Sequence, residues 1–130
     1  MNNIQELKEK IKGLKVLFTD DEEQIRKGTG KLLNKFFDTV IICEDGQQGL
    51  DSFKKEKDFD IVIADIQMPK MDGIEMVEKI KEINPDIFTI FITAGRGDSI
   101  VDENLYDLYI QKPISYEDMK LIFEKASTLR

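Results

Sequence analysis

Five polar residues of this 130-residue sequence carry groups that could act together in one reaction: Asp20, Asp21, Asp65, Thr93 and Lys112. Each lies at or just after the end of a short apolar run. Three carboxylates held close together raise one another's pKa, and a hard divalent cation such as Mg²⁺ removes that conflict. An ammonium and a hydroxyl can neutralise a phosphoryl group, and a carboxylate can attack phosphorus. If these side chains converge, the set indicates phosphoryl transfer to an aspartate.

Each of these residues taken alone also has a simpler interpretation. The pair Asp20-Asp21 is typical of a helix N-cap and first-turn acid, stabilised by the helix dipole. Asp65 could be a turn residue, Thr93 a loop entry and Lys112 a solvated lysine. The shared site is favoured because all five follow strands whose carboxyl ends would lie at one edge of a sheet.

The composition excludes several other chemistries. The chain has no histidine and one cysteine, Cys43, which excludes Ser-His-Asp and Cys-His catalysis, histidine- or cysteine-ligated metal clusters and internal disulfides. There are 19 Lys and Arg against 26 Asp and Glu, a formal net charge of −7. That acidic balance predicts no direct nucleic-acid binding, because such binding uses a basic face to displace counterions.

The sequence also lacks the apolar segments of a membrane or secreted protein. Its uncharged stretches reach about ten residues, against the roughly 20 that span a bilayer. The polar N-terminus lacks the apolar region of a signal peptide. We therefore predict a soluble cytoplasmic protein with no membrane span.

Five apolar runs rich in β-branched and aromatic residues predict the strands that must position the polar set: Lys15–Thr19, Thr39–Cys43, Asp60–Ala64, Ile87–Thr93 and Asp107–Gln111. At least three are nearly continuous, as in strands covered on both faces. Amphipathic helical stripes separate most of them. This alternation predicts an α/β fold with a doubly wound five-stranded parallel sheet and helices on both faces.

Two segments depart from the simple alternation. Residues 1–13 have apolar positions at helical spacing and predict an amphipathic extension, either packed on the domain or forming the tail of a linker helix, ahead of a domain over residues 14–130. Between Thr93 and Lys112, Ile100, Val101 and Leu105 form only a weak helical stripe. We therefore predict a short or irregular helix there.

Four segments together carry a resemblance to a known family: Val16–Glu22, Ile61–Gly73, Phe91–Ala94 and Tyr109–Pro113. They resemble the receiver domains of response regulators in two-component signalling. The string Asp-x-x-Met-Pro-x-Met-Asp-Gly that begins at Asp65 is highly specific. The resemblance implies a flavodoxin-like receiver fold with strand order 2-1-3-4-5.

The resemblance also implies a metal-dependent phosphoacceptor site. Asp65 matches the phosphoacceptor. Asp20 and Asp21 match the acidic pair that holds Mg²⁺ or Mn²⁺, Asp21 directly and Asp20 through water. Asp65 and the backbone carbonyl of Gln67 match the remaining protein ligands.

Further positions match the residues that bind the phosphoryl group and the residue that changes conformation in response to it. Thr93, Lys112 and the Ala94 amide match those that bind its oxygens. Tyr109 matches an aromatic switch residue whose rotamer follows the threonine. The bond between Lys112 and Pro113 matches one that is usually cis in the family.

The resemblance implies a signalling phosphoacceptor, not an enzyme with turnover beyond self-catalysed phosphorylation and dephosphorylation. Its partner would be a histidine kinase or a histidine phosphotransfer protein, and the chain would be either a free-standing regulator or a module excised from a hybrid histidine kinase. A degenerate receiver that no longer accepts phosphate is a further alternative.

Two alternatives belong to other classes. A Mg²⁺-dependent phosphatase of the haloacid-dehalogenase type would need a second acid two residues after its nucleophile, where Gln67 follows Asp65. A flavodoxin-like cofactor binder needs a hydroxyl- and glycine-rich phosphate loop after its first strand, and the stretch Thr-Asp-Asp-Glu-Glu at residues 19–23 would repel phosphate.

Overall fold

The computed structural model describes residues 4–56, 58–94 and 101–129. Its strands are β1 (Lys15–Thr19), β2 (Thr39–Cys43), β3 (Ile61–Ala64), β4 (Phe88–Thr93) and β5 (Leu108–Gln111). Its α-helices are α1 (Ile4–Ile11), α2 (Glu23–Phe36), α3 (Gly46–Glu56), α4 (Gly73–Ile83) and α5 (Tyr116–Ala126). None of these helices is long and apolar enough to cross a membrane.

The five strands form one parallel sheet in the order β2-β1-β3-β4-β5, which confirms the predicted architecture. The register pairs Thr19 of β1 with Cys43 of β2 and Ala64 of β3, and it pairs Thr93 of β4 with Gln111 of β5. The strands therefore end close to a common line. The residues that follow them lie together at the carboxyl edge of the sheet.

Alternation along the strands divides the core into two layers. On one face, Val16 and Phe18 belong to a buried cluster that includes residues of α1, α2 and α5. On the other face, Leu17 and Val62 belong to a cluster with residues of α3 and α4. The sheet is covered on both faces, which explains why its strands read as continuous apolar runs.

Two predicted strands begin one residue too early because an aspartate there bonds across the sheet with its side chain. The Asp60 carboxylate accepts the backbone N–H of Lys15 at 2.8 Å. The Asp107 carboxylate accepts that of Thr89 at 2.8 Å. Both side chains occupy the place of a strand partner, so β3 and β5 start at the next residue. The predicted start of β4 at Ile87 is also one residue early.

The segment that follows β4 lies partly outside the described residues. Of its weak helical stripe, Ile100 is not described, whereas Val101 and Leu105 are partly buried against the core. The described part contains a 3₁₀ turn at Glu103–Leu105, preceded by Asp102, whose carboxylate accepts the Asn104 backbone N–H at 2.9 Å. Within residues 101–107 this turn is the helical structure present, in line with the expectation of a short or irregular helix.

The N-terminal helix α1 packs into the domain core. Leu7 and Ile11 are both 0% exposed, and they share a buried cluster with Phe37 of the α2–β2 connection and Phe123 of α5. The helix at Ile4–Ile11 is therefore amphipathic, with its apolar side buried. The apolar face of α1 therefore covers part of α5.

Leu7→Ala should lower the free energy of unfolding by about 3 kcal/mol, because it leaves a cavity in a fully buried cluster. Lys8→Ala, at an exposed position of the same helix, is the matched control and should change stability by less than about 0.5 kcal/mol. Urea denaturation followed by circular dichroism measures both. Equal effects of the two substitutions would show that α1 is not part of the core.

Candidate functional site

The carboxylates of Asp20, Asp21 and Asp65 converge at the carboxyl edge of the sheet. One oxygen from each lies within 4.8 Å of the others. Asp20 is 0% and Asp65 5% exposed, whereas Asp21 is exposed. Asp20 and Asp21 follow β1 and Asp65 follows the adjacent β3, so the register of these two strands creates the cluster. The site has one solvent-facing side and two buried carboxylates.

Lys112, which directly follows β5, reaches back into this cluster. Its backbone N–H donates to the Thr93 carbonyl at 2.8 Å, which extends the β4–β5 pairing by one bond. Its ammonium lies 2.9 Å from Asp20 Oδ2 and 3.4 Å from Asp65 Oδ2. A third carboxylate, that of Glu22, lies 3.4 Å from the same nitrogen. The bond between Lys112 and Pro113 is cis, as expected from the resemblance.

The two carboxylate oxygens of Asp20 have different surroundings. Oδ1 accepts the backbone N–H of Glu22 at 2.9 Å and thereby shapes the turn into α2. Oδ2 is buried next to the Lys112 ammonium, but the direction of that contact is not that of a hydrogen bond. The N-cap of α2 is Glu22, so Asp20 is not the helix cap that its sequence position suggested, and its Oδ2 remains available to a cation.

Asp65 is held in place through its backbone. Its N–H donates to the Thr19 carbonyl at 3.0 Å, and the carbonyl of the next residue, Ile66, accepts the Gly73 N–H at 2.7 Å. The start of α4 approaches so closely that a β-carbon on Gly73 would overlap the Asp65 carbonyl oxygen. Between them the chain passes through Lys70, whose φ of 68° lies in the left-handed region. Gly73 thus permits the tight return that fixes Asp65.

Burial is the main electrostatic influence on Asp65. It raises the pKa of Asp65 to about 6 from the ordinary 3.8. The Lys112 charge opposes this increase, and the negative charges of Asp20 and Asp21 add to it. Burial also lowers the pKa of Lys112, but its contact with Asp20 and the charges of Asp65, Asp20 and Glu22 outweigh this effect and raise the pKa overall. Lys112 is therefore an ammonium at neutral pH, facing more negative charge than it can neutralise.

The remaining predicted residues lie on β4 and β5 beside this cluster. Thr93 is buried at the end of β4, and the exposed Ala94 follows it. Tyr109 of β5 pairs in register with Phe91, so it lies on the same face of the sheet as Thr93. Gln67 is exposed in the loop after β3, directly after Ile66, so its backbone lies close to Asp65.

Two contacts near the site were not predicted from the sequence. Glu22 pairs with Lys112, as described above. Tyr106, after the 3₁₀ turn, packs its ring 5.4 Å from that of Tyr109 and 6.0 Å from that of Phe91. The sequence shows that the two tyrosines are three residues apart, but it does not show how the chain runs before β5. That path is what places the Tyr106 ring next to Phe91.

The donor set fits a hard divalent cation. Three carboxylates offer oxygen ligands within 4.8 Å of one another, which matches the preference of Mg²⁺ for one or two carboxylates plus water. Asp20 Oδ2 is buried without a directed hydrogen bond, so a water molecule bound to a cation would satisfy it. A cation would also balance the carboxylate charge that Lys112 leaves uncompensated.

Comparison with known proteins gives a consistent result. Residues 16–124 match the family model of the response regulator receiver domain. The response regulator protein VraR of Staphylococcus saprophyticus is 33% identical over 118 residues, which cover 87% of this chain and 56% of that protein. This chain spans about half the length of these curated relatives.

Solved structures extend the similarity to the fold. A response regulator receiver domain protein from Clostridium thermocellum has a TM-score of 0.77 and 28% identity, covering 88% of this chain and 94% of that one. The response regulator TrrA of Thermotoga maritima, solved in complex with Mg²⁺ and BeF, has a TM-score of 0.76 and 27% identity, with 87% and 98% covered. Both similarities extend over nearly the whole of the compared chains.

Asp65→Asn should stabilise the metal-free protein at pH 7 to 8 by about 2 kcal/mol, because it removes a carboxylate whose pKa is raised by burial. The folded state binds this proton more tightly than the unfolded chain, so wild type gains stability as the pH falls from above 6 towards 4. The extra stability of Asp65→Asn over wild type should therefore decrease as the pH falls from above 6 towards 4. Urea denaturation in EDTA at several pH values measures it, and a difference that does not vary with pH would contradict the burial argument.

Gly73→Ala should lower the free energy of unfolding by about 2 kcal/mol or more, because the new methyl group displaces the Asp65 carbonyl. Gly28→Ala is the matched control. Apart from its chain neighbours and the backbone of its own helix, no atom of the described residues would lie within 4 Å of its β-carbon, and the position is inside α2. The control should gain about 0.5 to 1 kcal/mol from higher helix propensity. Thermal unfolding of both variants tests whether their changes in stability have opposite signs.

Proposed function

This chain belongs to the response regulator receiver domain family, and from that premise we propose that it accepts a phosphoryl group on Asp65 from a phosphohistidine of a partner protein. One observation carries the proposal. Lys112 binds two buried carboxylates, Asp20 and Asp65, at an edge where a third carboxylate, Asp21, faces solvent. That arrangement supplies a nucleophile, a fixed positive charge and oxygen ligands for a cation within one small site.

In the proposed reaction a carboxylate oxygen of Asp65 attacks the phosphorus atom. The new P–O bond forms as the P–N bond to the partner's imidazole breaks, and the bonding electron pair stays on that nitrogen. The Lys112 ammonium, the Thr93 hydroxyl and the Ala94 amide bind the phosphoryl oxygens and compensate their charge. Because Asp65 reacts as a carboxylate, its raised pKa makes the reaction less favourable in acid.

The residues proposed to hold the cation are Asp20, Asp21, Asp65 and the backbone carbonyl of Gln67, with Asp21 and Asp65 as direct ligands and Asp20 acting through water. Bound Mg²⁺ or Mn²⁺ supplies positive charge that neutralises the carboxylates and the entering phosphoryl group. The chain's own part is to keep two of the three carboxylates buried and fixed. The similarity to TrrA, solved with Mg²⁺ and BeF, supports this assignment.

The proposed output is a conformational change that starts at Thr93. When its hydroxyl moves towards the phosphoryl group, the space beside Tyr109 changes, and the Tyr109 rotamer follows. Tyr109 is half-buried and lies on the same sheet face, so its ring is placed to respond. Self-catalysed hydrolysis of the aspartyl phosphate would end the signal.

We assign the receiver domain to residues 14–130 and residues 1–13 to an N-terminal helical extension. The partner that delivers the phosphoryl group is a histidine kinase or a histidine phosphotransfer protein in the cytoplasm. The chain spans about half the length of its curated relatives. The proposal is the same for a free-standing regulator and for a module of a hybrid histidine kinase. Membership of the receiver family supports the phosphoacceptor proposal over the phosphatase alternative.

Incubation with acetyl phosphate and Mg²⁺ should increase the intact mass of the protein by one phosphoryl group, because Asp65 can attack a small donor as well as a protein. Asp65→Asn should abolish the gain, and EDTA should suppress it in wild type. Asp51→Asn, an exposed carboxylate on α3, is the matched control and should be phosphorylated like wild type. Folded wild type that gains no mass would refute the proposal, and labelling that persists in Asp65→Asn would refute the choice of residue.

A further inference from the structure

Three carboxylates described above lie near the Lys112 ammonium. Asp20 and Asp65 belong to the proposed cation site and phosphoacceptor, whereas Glu22 has no role in either. Its Oε1 accepts a hydrogen bond from the Lys112 ammonium at 3.4 Å. The Glu22 side chain is 58% exposed, against 1% for Asp20 and 6% for Asp65. Glu22 therefore contacts a buried ammonium from the solvent side of the site.

The position of Glu22 is fixed by its backbone and not by its carboxylate. Its N–H donates to Asp20 Oδ1, and it forms the N-cap of α2 without a side-chain capping bond. The carboxylate is thus free of the usual structural role at a helix start. Its described interaction is the one with Lys112, which an entering phosphoryl group must also contact.

We infer that Glu22 is a positioning residue that competes with the phosphoryl group for the Lys112 ammonium and so weakens the uptake of small anionic donors. This inference rests on the proposed function. In the unmodified protein Glu22 shares the ammonium with Asp20 and Asp65. When a phosphoryl anion enters, Glu22 must release Lys112, and its negative charge opposes the anion from the exposed side.

A protein donor can offset this cost where a free anion cannot. Glu22 lies at the open side, where the surface of a docked partner would be able to supply a positive group or a hydrogen-bond donor to it. A small donor such as acetyl phosphate brings no such group. Glu22 thereby lowers the affinity of the site for small free anions of the acyl phosphate class.

The test compares Glu22→Gln with wild type by calorimetric titration of beryllofluoride in the presence of saturating Mg²⁺. Glu22→Gln should bind two- to fivefold more tightly, the range expected from losing one exposed ion pair and its repulsion. The gain should disappear at about 1 M salt, because exposed charges are screened there. Glu23→Gln is the control, since Glu23 pairs with Lys27 at 3.3 Å on the surface and should bind like wild type.

A second readout needs neither metal nor donor. In metal-free protein, the ¹⁵Nζ resonance of Lys112 should shift in Glu22→Gln and stay unchanged in Glu23→Gln. Equal affinities of wild type and Glu22→Gln, or equal gains in both variants, would overturn the inference while leaving the proposed function intact. If neither wild type nor Glu22→Gln binds beryllofluoride, the proposed function itself fails.

Discussion

Buried carboxylates facing the Lys112 ammonium are the constraint on which the rest of the structure depends. Asp20 and Asp65 are almost inaccessible to water, yet one ammonium faces both of them and the exposed Glu22 as well. Burying two carboxylates against one positive charge is unfavourable, and the raised pKa of Asp65 expresses that cost. The fold keeps this arrangement because the surrounding sheet and helices leave these groups no other position.

The sheet supplies that rigidity through its register. Thr19 and Ala64 are paired, so Asp20 and Asp65 leave neighbouring strands at the same height, and Lys112 leaves β5 beside Thr93. Glycines then let helices approach the loops closely. Gly73 brings α4 against the Asp65 carbonyl, and Gly46 brings α3 against that of Met71 in the same loop. A side chain at either position would collide with backbone, which cannot move without moving the site.

The sequence was sufficient to predict the strands and which polar residues follow them. Continuous apolar runs identify buried parallel strands, and the carboxyl ends of such strands share an edge, so the meeting of Asp20, Asp65 and Lys112 could be predicted. Finer contacts could not. Glu22 contacts Lys112 across 90 residues of sequence, and the burial of Leu7 depends on how α1 packs against α5. Both follow from the angles at which elements pack, which no local pattern encodes.

The energies of the contacts around Tyr109 fit a switch that one new charge can move. The tilted contact between the rings of Tyr109 and Tyr106 is worth about 0.5 to 1.5 kcal/mol. A hydrogen bond from a hydroxyl to a charged phosphoryl oxygen is worth about 1.5 to 3 kcal/mol. The second quantity is at least as large as the first, so one new hydrogen bond of this kind is sufficient to offset the loss of the ring contact. Phosphorylation of Asp65 could then change the exposed surface around Tyr109 while the sheet that holds the site stays the same.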